Sequence, residues 1–300
     1  SFGHGISVTQ TQMLRSFTAI ANNGIMLEPK FISALYDPNK DTARLSKVEE
    51  VGNPVSETAA DDTLRYMINV GTDPVYGTLY SYDLQGPSIV VDGYDVAVKS
   101  GTAEFASEGG QGYIKGAYIN SVVAMVPAED PEFIMYVTIK QPESLNVMSW
   151  RDIVNPTLKE AMLLKDSLNL DSSAPALAQV STESEYQLPN VIGQSPGETA
   201  EELRRELIQP IILGNGSEIK KVSVEVGSNV AANQQILLLT NKFEEMPDLY
   251  ALTKENMDLF AEWTGIEVTY KGTGSKVVDQ SVEVGTALKN TKKITITLGD

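Results

Sequence analysis

Tyr94-Asp95-Val96-Ala97-Val98-Lys99-Ser100-Gly101-Thr102 is the stretch from which the rest of this chain is read. Its first five residues form a strand-like run, and its last four place a cation, two hydroxyls and a bare glycine at the strand end. Lys99 can hold a carboxylate, and the hydroxyls of Ser100 and Thr102 can orient it. Gly101 has no side chain, so a bound molecule can approach the main chain closely. Taken alone, the tetrapeptide also fits a polar strand end, where lysine discourages edge-to-edge pairing.

The surrounding composition narrows the choice. Three hundred residues leave room for two or more domains, each with its own core. At 42% hydrophobic and 21% charged, the chain has a globular balance. Its apolar runs fall short of the ~18 residues that a membrane helix needs. It starts at Ser1 with no basic leader, which is expected of a mature product or a piece of a longer chain. The formal charge of −17 argues against nucleic acid as a partner and against docking on anionic lipid, and it favours solubility.

Cysteine is absent, which excludes disulfides, thiol nucleophiles and thiolate metal sites together. His4 is the single histidine, so neither a multi-histidine metal site nor a two-histidine relay can form. A Ser-His-Asp triad would have to use His4, which sits in the turn Phe2-Gly3-His4-Gly5, where a structural role fits better. Nucleophilic chemistry in this chain therefore points to lysine as the base, and no cofactor is implied.

Met13, Phe17, Ile20 and Ala21 recur at helical spacing and predict a helix over 10–22, with Thr9 as N-cap and Asn22-Asn23-Gly24 as its stop. Asp37-Pro38-Asn39-Lys40 marks a hairpin or loop. Ser56-Glu57-Thr58-Ala59 opens a second helix, with Leu64, Met67 and Ile68 as its buried stripe, ending at Val70-Gly71-Thr72. Strands are predicted over 96–103, 118–126 and 133–140, the last two being antiparallel neighbours joined through Pro127 to Pro131. Glu108-Gly109-Gly110-Gln111-Gly112 is a loop of the kind that covers sites. A helix over 156–164, starting at Pro156, is expected to cover the sheet, which makes the layer α+β.

From residue 166 the composition shifts to Ser, Ala, Glu and Asp with little periodicity, as in a linker. Beyond it the chain repeats. Leu188-Pro189-Asn190-Val191 returns as Met246-Pro247-Asp248-Leu249, and Gly214-Asn215-Gly216-Ser217 as Gly272-Thr273-Gly274-Ser275. Val224-Glu225-Val226-Gly227 returns as Val282-Glu283-Val284-Gly285, and all three pairs share one shift of 58 residues. Each copy reads as a helix (199–207 and 254–263), a glycine-rich turn and two or three short strands. The predicted organisation is a domain over 1–165, a linker over 166–186 and two small α+β modules over 187–242 and 243–300.

Three features together resemble the C-terminal part of class B penicillin-binding proteins. Phe2-Gly3-His4-Gly5-Ile6-Ser7-Val8-Thr9, with Gln12-Met13, resembles a helix lead-in of the transpeptidase domain. Lys99-Ser100-Gly101-Thr102-Ala103 resembles the third of its active-site motifs. The 58-residue repeats resemble the PASTA modules that follow that domain. The resemblance implies an α+β fold, an antiparallel sheet covered by helices, followed by two PASTA repeats.

The family's S-x-x-K and S-x-N motifs should precede Lys99, and nothing there fits them. Ser217-Glu218-Ile219-Lys220 matches the first only inside a repeat, while Ser144-Leu145-Asn146 and Ser167-Leu168-Asn169 match the second too late in the chain. The expectation is a fragment whose serine nucleophile and membrane anchor lie on a separate N-terminal portion.

The resemblance further implies peptidoglycan D,D-transpeptidase chemistry in cell-wall synthesis, shape and division. A serine attacks the penultimate carbonyl of a stem peptide ending in D-Ala-D-Ala, and β-lactams mimic that substrate. Lys99, Ser100, Gly101 and Thr102 would be the catalytic wall. Lys99 would supply positive potential and help move protons, Ser100 and Thr102 would hold the substrate carboxylate, and the Thr102 N–H would serve the oxyanion hole. The implied partners are the N-terminal portion, stem peptides, β-lactams and division proteins, at the outer face of the plasma membrane.

Glu104 is added to the substrate-binding set, because alternation puts it on the Thr102 side of the strand. A carboxylate ~8 Å from a bound one repels it by roughly 2 kcal/mol at an effective dielectric of about 20. The alternatives are a non-catalytic cell-wall-binding module, or a carboxypeptidase or β-lactamase relative. For the repeats, spacing and docking stand beside ligand binding, and Tyr250 and Trp263 read as core residues.

Overall fold

Thr9 starts the first helix with a reciprocal cap. Its hydroxyl accepts the Gln12 N–H at 3.1 Å, and the Gln12 side chain accepts the Thr9 N–H at 2.8 Å. The computed structural model describes residues 6–37, 42–107, 112–144, 146–168 and 186–299. In chain order the principal elements are α1 (Gln10–Ala21), the hairpin strands β1 (Ala34–Asp37) and β2 (Thr42–Leu45), and α2 (Glu57–Thr72). Next come β3 (Ala97–Ala106), β4 (Tyr113–Val126), β5 (Phe133–Lys140) and α3 (Val147–Leu168). The remainder comprises α4 (Pro196–Arg205), β6 (Gln209–Leu213), β7 (Ile219–Val222), β8 (Gln235–Thr240), α5 (Lys254–Thr264), β9 (Glu267–Lys271), β10 (Lys276–Gln280) and β11 (Lys293–Gly299). These fall into two units, one built from 1–29 with 53–173 and the other from 30–52 with 174–300.

The first unit is a sheet between two helical layers. Strands β3, β4 and β5 pair antiparallel in that order, with Val98 opposite Ala124 and Val122 opposite Val137. Side chains alternate across the pleat, so successive residues serve different cores. Ala97, Val123 and Met125 pack with Leu64 and Met67 of α2, beside Phe17 and Ile20 of α1. Val98, Val122, Ala124 and Val126 pack with Trp150, Val154, Leu158 and Met162 of α3. Burial on both faces explains the unbroken apolar run 122–126, which carries no period-two signal.

The helix stop at Asn22-Asn23-Gly24 is present, with Asn23 and Gly24 at positive φ, and Ser56 caps α2 through the Ala59 N–H. The expected helix start at Pro156 is corrected: α3 begins nine residues earlier and Pro156 lies inside it. Asn146 caps it instead, its Oδ1 accepting the N–H groups of Met148 and Ser149 at 2.9 and 3.2 Å. A buried stripe every fourth residue, from Trp150 to Met162, keeps the helix continuous despite the N–H that Pro156 lacks. The turn after Asp37 and most of the loop 108–112 lie outside the described residues, as does most of the expected linker.

In the second unit, each repeat folds as a three-stranded sheet with a helix packed on it. β6 runs parallel to β8, and β7 pairs antiparallel on the other side of β8; β9, β11 and β10 repeat this plan. The duplication extends to register. Gln209 pairs Gln235 in one sheet and Glu267 pairs Lys293 in the other, 58 residues on, and both β7 and β10 bulge at the same step. The first module closes on Leu188, Leu203, Ile208 and Ile236, the second on Met257, Phe260, Ile294 and Ile296. Leu213 and Leu237 of the first module contribute to the second core, which Trp263 flanks. The hairpin segment carries a Lys30–Glu49 ion pair at 2.8 Å and an Arg44–Glu206 pair to the first module.

Candidate active site

Strand β3 brings the sequence-assigned residues onto one ten-residue element, bonded to β4 along one edge; among the described residues no strand lies on its other edge. The pleat sorts them. Ser100, Thr102 and Glu104 stand opposite Val122, Asn120 and Tyr118, on the α3 face. Lys99 and Gly101 stand opposite Val123 and Ser121, on the α2 face. Lys99 extends past the covered part of that face and is exposed, its Nζ donating back to the Ser100 carbonyl at 2.5 Å. The cation therefore stands against the Ser100 main chain, on the other face of the strand from the two hydroxyls.

Each hydroxyl has a second side chain behind it. Ser100 Oγ lies 2.6 Å from Thr78 Oγ1, and Thr102 Oγ1 donates to Asn120 Oδ1 at 3.2 Å. Gly101 faces Ser121, whose Oγ lies 2.6 Å from where a Cβ on residue 101 would stand. Glu104 is half-buried, just before the bulge that shifts β3 against β4 at Phe105.

Thr78 is held by the turn that ends α2. Asp73 Oδ1 accepts the N–H groups of Val75 and Tyr76 at 2.7 and 2.9 Å. These bonds, Tyr76 first and then Val75, hold the Asp73 carboxyl below its ordinary pKa. The main chain then closes on the helix end, with Gly77 N–H donating to Asp73 O and Leu79 N–H to Val70 O, both at 3.0 Å. A side chain at Gly77 would meet the Asp73 carbonyl at 2.4 Å, so this close approach requires glycine.

Thr78, Asn120 and Ser121 were not singled out by the sequence. Two of them are revealed only by the β3–β4 register, and the third by a turn with no periodic signal. Of the competing matches, Asn146 is the α3 cap. Lys220 lies on β7, exposed and 3.6 Å from Glu218, next to buried Ile219. Ser167 and Asn169 have no described side chains, and His4 lies outside the described residues. Among the described residues no cluster of three or more His, Cys, Asp or Glu side chains could hold a metal, and no helix is long and apolar enough to cross a membrane. A cavity of ≈ 500 Å³ in the second unit, lined by Lys47, Gln209, Asn233, Asn256 and Lys276 among others, contains none of the assigned residues.

Residues 1–162 match the family model of the penicillin binding protein transpeptidase domain. The chain belongs to that family. Residues 186–242 and 244–300 each match the PASTA domain. The crystal structure of penicillin binding protein 2X from Streptococcus thermophilus superimposes with a TM-score of 0.94 at 52% identity, over 100% of this chain and 44% of that one. Stage V sporulation protein D of Bacillus subtilis is 26% identical over 254 residues, 82% of this chain and 36% of its own length. A protein of Neisseria meningitidis named "Probable peptidoglycan D,D-transpeptidase PenA" is 30% identical over 142 residues, 47% of this chain and 21% of its own. The chain thus spans about a third or less of the length of these curated relatives.

Proposed function

We propose that this chain forms one wall of the active site of a peptidoglycan D,D-transpeptidase, with Lys99, Ser100, Gly101 and Thr102 as that wall. The observation that carries the reading is the open edge of β3 with two backed hydroxyls facing one side. An extended stem peptide would add to this edge as a further strand, aligned by main-chain bonds, with Gly101 leaving the approach clear. Ser100 and Thr102 would donate to the terminal carboxylate, and Lys99 would raise the local potential. A serine on the N-terminal portion attacks the penultimate carbonyl, expels the terminal D-Ala, and passes the acyl group to a neighbouring amine. The Thr102 N–H would stabilise the oxyanion, and losing one such donor costs on the order of 10²–10³ in rate.

β-Lactams, carrying a carboxylate beside a reactive carbonyl, would occupy the same edge and acylate the same serine. The S-x-x-K and S-x-N motifs and a membrane anchor are assigned to the portion N-terminal to this chain, a reading supported by the much greater length of the relatives. The site would then face the outside of the plasma membrane, where stem peptides and division proteins meet it. Fluorescent penicillin provides the test. The expected result is labelling of the full-length protein, none of this chain alone, and restored labelling on an N-terminal S-x-x-K fragment co-expressed with it. A full-length protein that never labels overturns the assignment and favours a non-catalytic wall-binding module; rapid release of the label favours a β-lactamase or carboxypeptidase.

A further inference from the structure

We propose that Thr78 is a positioning residue that sets Ser100 as a donor to the carboxylate of the bound substrate. The inference rests on the transpeptidase reading above and adds to it a residue from outside the β3 strand. Two hydroxyls 2.6 Å apart share one hydrogen between them. If Ser100 donates to Thr78, Ser100 presents only lone pairs to an incoming anion. If Thr78 donates to Ser100, the Ser100 proton is left for the ligand, and the incoming bond polarises it. A carboxylate selects the second arrangement, so Thr78 acts as an acceptor or donor that follows the ligand's charge. Its position is set by the α2 end through the Asp73 turn and the Gly77 and Leu79 main-chain bonds, which belong to a different element from β3. A hydroxyl held by a second, separately anchored element does not have to be reordered when the ligand arrives.

The partner pair shows the same plan on β4. Thr102 Oγ1 donates to Asn120 Oδ1, and a half-turn of that amide would present Nδ2 as donor, freeing the Thr102 proton for the same carboxylate. Both hydroxyls of the wall can thereby switch direction without moving their own oxygens.

The test is made in the full-length protein, by the second-order rate of acylation with a penicillin and with its carboxyl methyl ester. Thr78→Val is expected to slow acylation by the acid about tenfold and to leave the ester within about twofold, with Thr78→Ser restoring the acid rate. In a Ser100→Ala background, Thr78→Val is expected to add no further loss. An equal loss with acid and ester, no loss with either, or a full additional loss on Ser100→Ala overturns the inference. Thermal melts of the variants separate a misfolded protein from a slow one, and Thr78→Ala, which also lacks the hydroxyl, carries the same acid-against-ester comparison if the valine variant does not fold. A parent protein that reacts with neither compound overturns the transpeptidase reading itself, and this inference with it. A parent that reacts normally while Thr78→Val is silent in every arm overturns only the role of Thr78.

Discussion

Gly101 on β3 and Ser121 on β4 face each other with no room for another carbon: a Cβ at residue 101 would lie 2.6 Å from Ser121 Oγ. Gly101 is not at positive φ, so its requirement is space, not backbone conformation. Gly101→Ala is expected to destabilise the domain by about 1–3 kcal/mol through overpacking. Gly101→Ala with Ser121→Gly is expected to recover most of that loss. Denaturant unfolding of both variants checks this; an unrecovered double variant means that the strand edge, not Ser121, is sensitive.

Glu104 shares a face with Thr102 and so lies on the side where the proposed carboxylate binds. Glu104→Gln in the full-length protein is expected to be acylated several-fold faster by anionic β-lactams, with the gain shrinking at high salt. Stopped-flow acylation at two ionic strengths measures it, and identical rates for both proteins at low and high salt refute it.

Tyr270 donates to Asp258 at 2.5 Å in the second repeat, and Lys254 pairs with the same carboxylate at 2.9 Å. The Tyr270 bond, followed by Lys254, lowers the Asp258 pKa from its ordinary 3.8. A lowered carboxyl pKa means that this stabilisation is present above 3.8 and is lost as pH falls through the folded-state value. Burial, then the bond to Asp258, raises the Tyr270 phenol above 10.0, so its part is full below that pH and is lost on going higher. Asp258 is exposed and Tyr270 half-buried, which limits the pair to about 1 kcal/mol at most. Tyr270→Phe is expected to move the Asp258 titration upward and to flatten the acid limb of stability. Carboxyl NMR of Asp258 reports the first directly.

Asn233 joins the hairpin segment to the first repeat. Its Oδ1 accepts the Lys47 N–H and its Nδ2 donates to the Leu45 carbonyl, both at 2.8 Å, from a backbone at φ 64°. Asn233→Ala loses both bonds and keeps a Cβ in the left-handed region, for an expected loss of about 2 kcal/mol. Asn233→Gly loses the bonds but relieves the backbone, so it should fall between the alanine variant and the parent. Amide exchange at Lys47 should quicken in both. Protection that survives in the alanine variant would show that the segment is held by Arg44 and Glu206 instead.

Much of this architecture was legible from local patterns. Thr9 announced the first helix, Ser56 the second, and the shared shift of 58 residues predicted two modules, whose sheet registers then repeat to the residue. The failure at α3 is equally specific. Pro156 reads as a helix start because its fixed φ suits the first turn, whereas Asn146 and the stripe from Trp150 to Met162 carry the helix through it. Local propensity lost there to burial against the sheet.

By itself, the sequence determined the two modules and the contiguous Lys99-Ser100-Gly101-Thr102 stretch on which the proposed wall rests, since both are written in residue order. Tertiary structure alone decided which side of the strand each residue serves and what stands behind it. Thr78 is 22 residues from Ser100 and Asn120 is 18 from Thr102, and no pattern along the chain marks either pair. They meet because the β3–β4 register and the turn after α2 set distances that only the packed sheet and helix can impose.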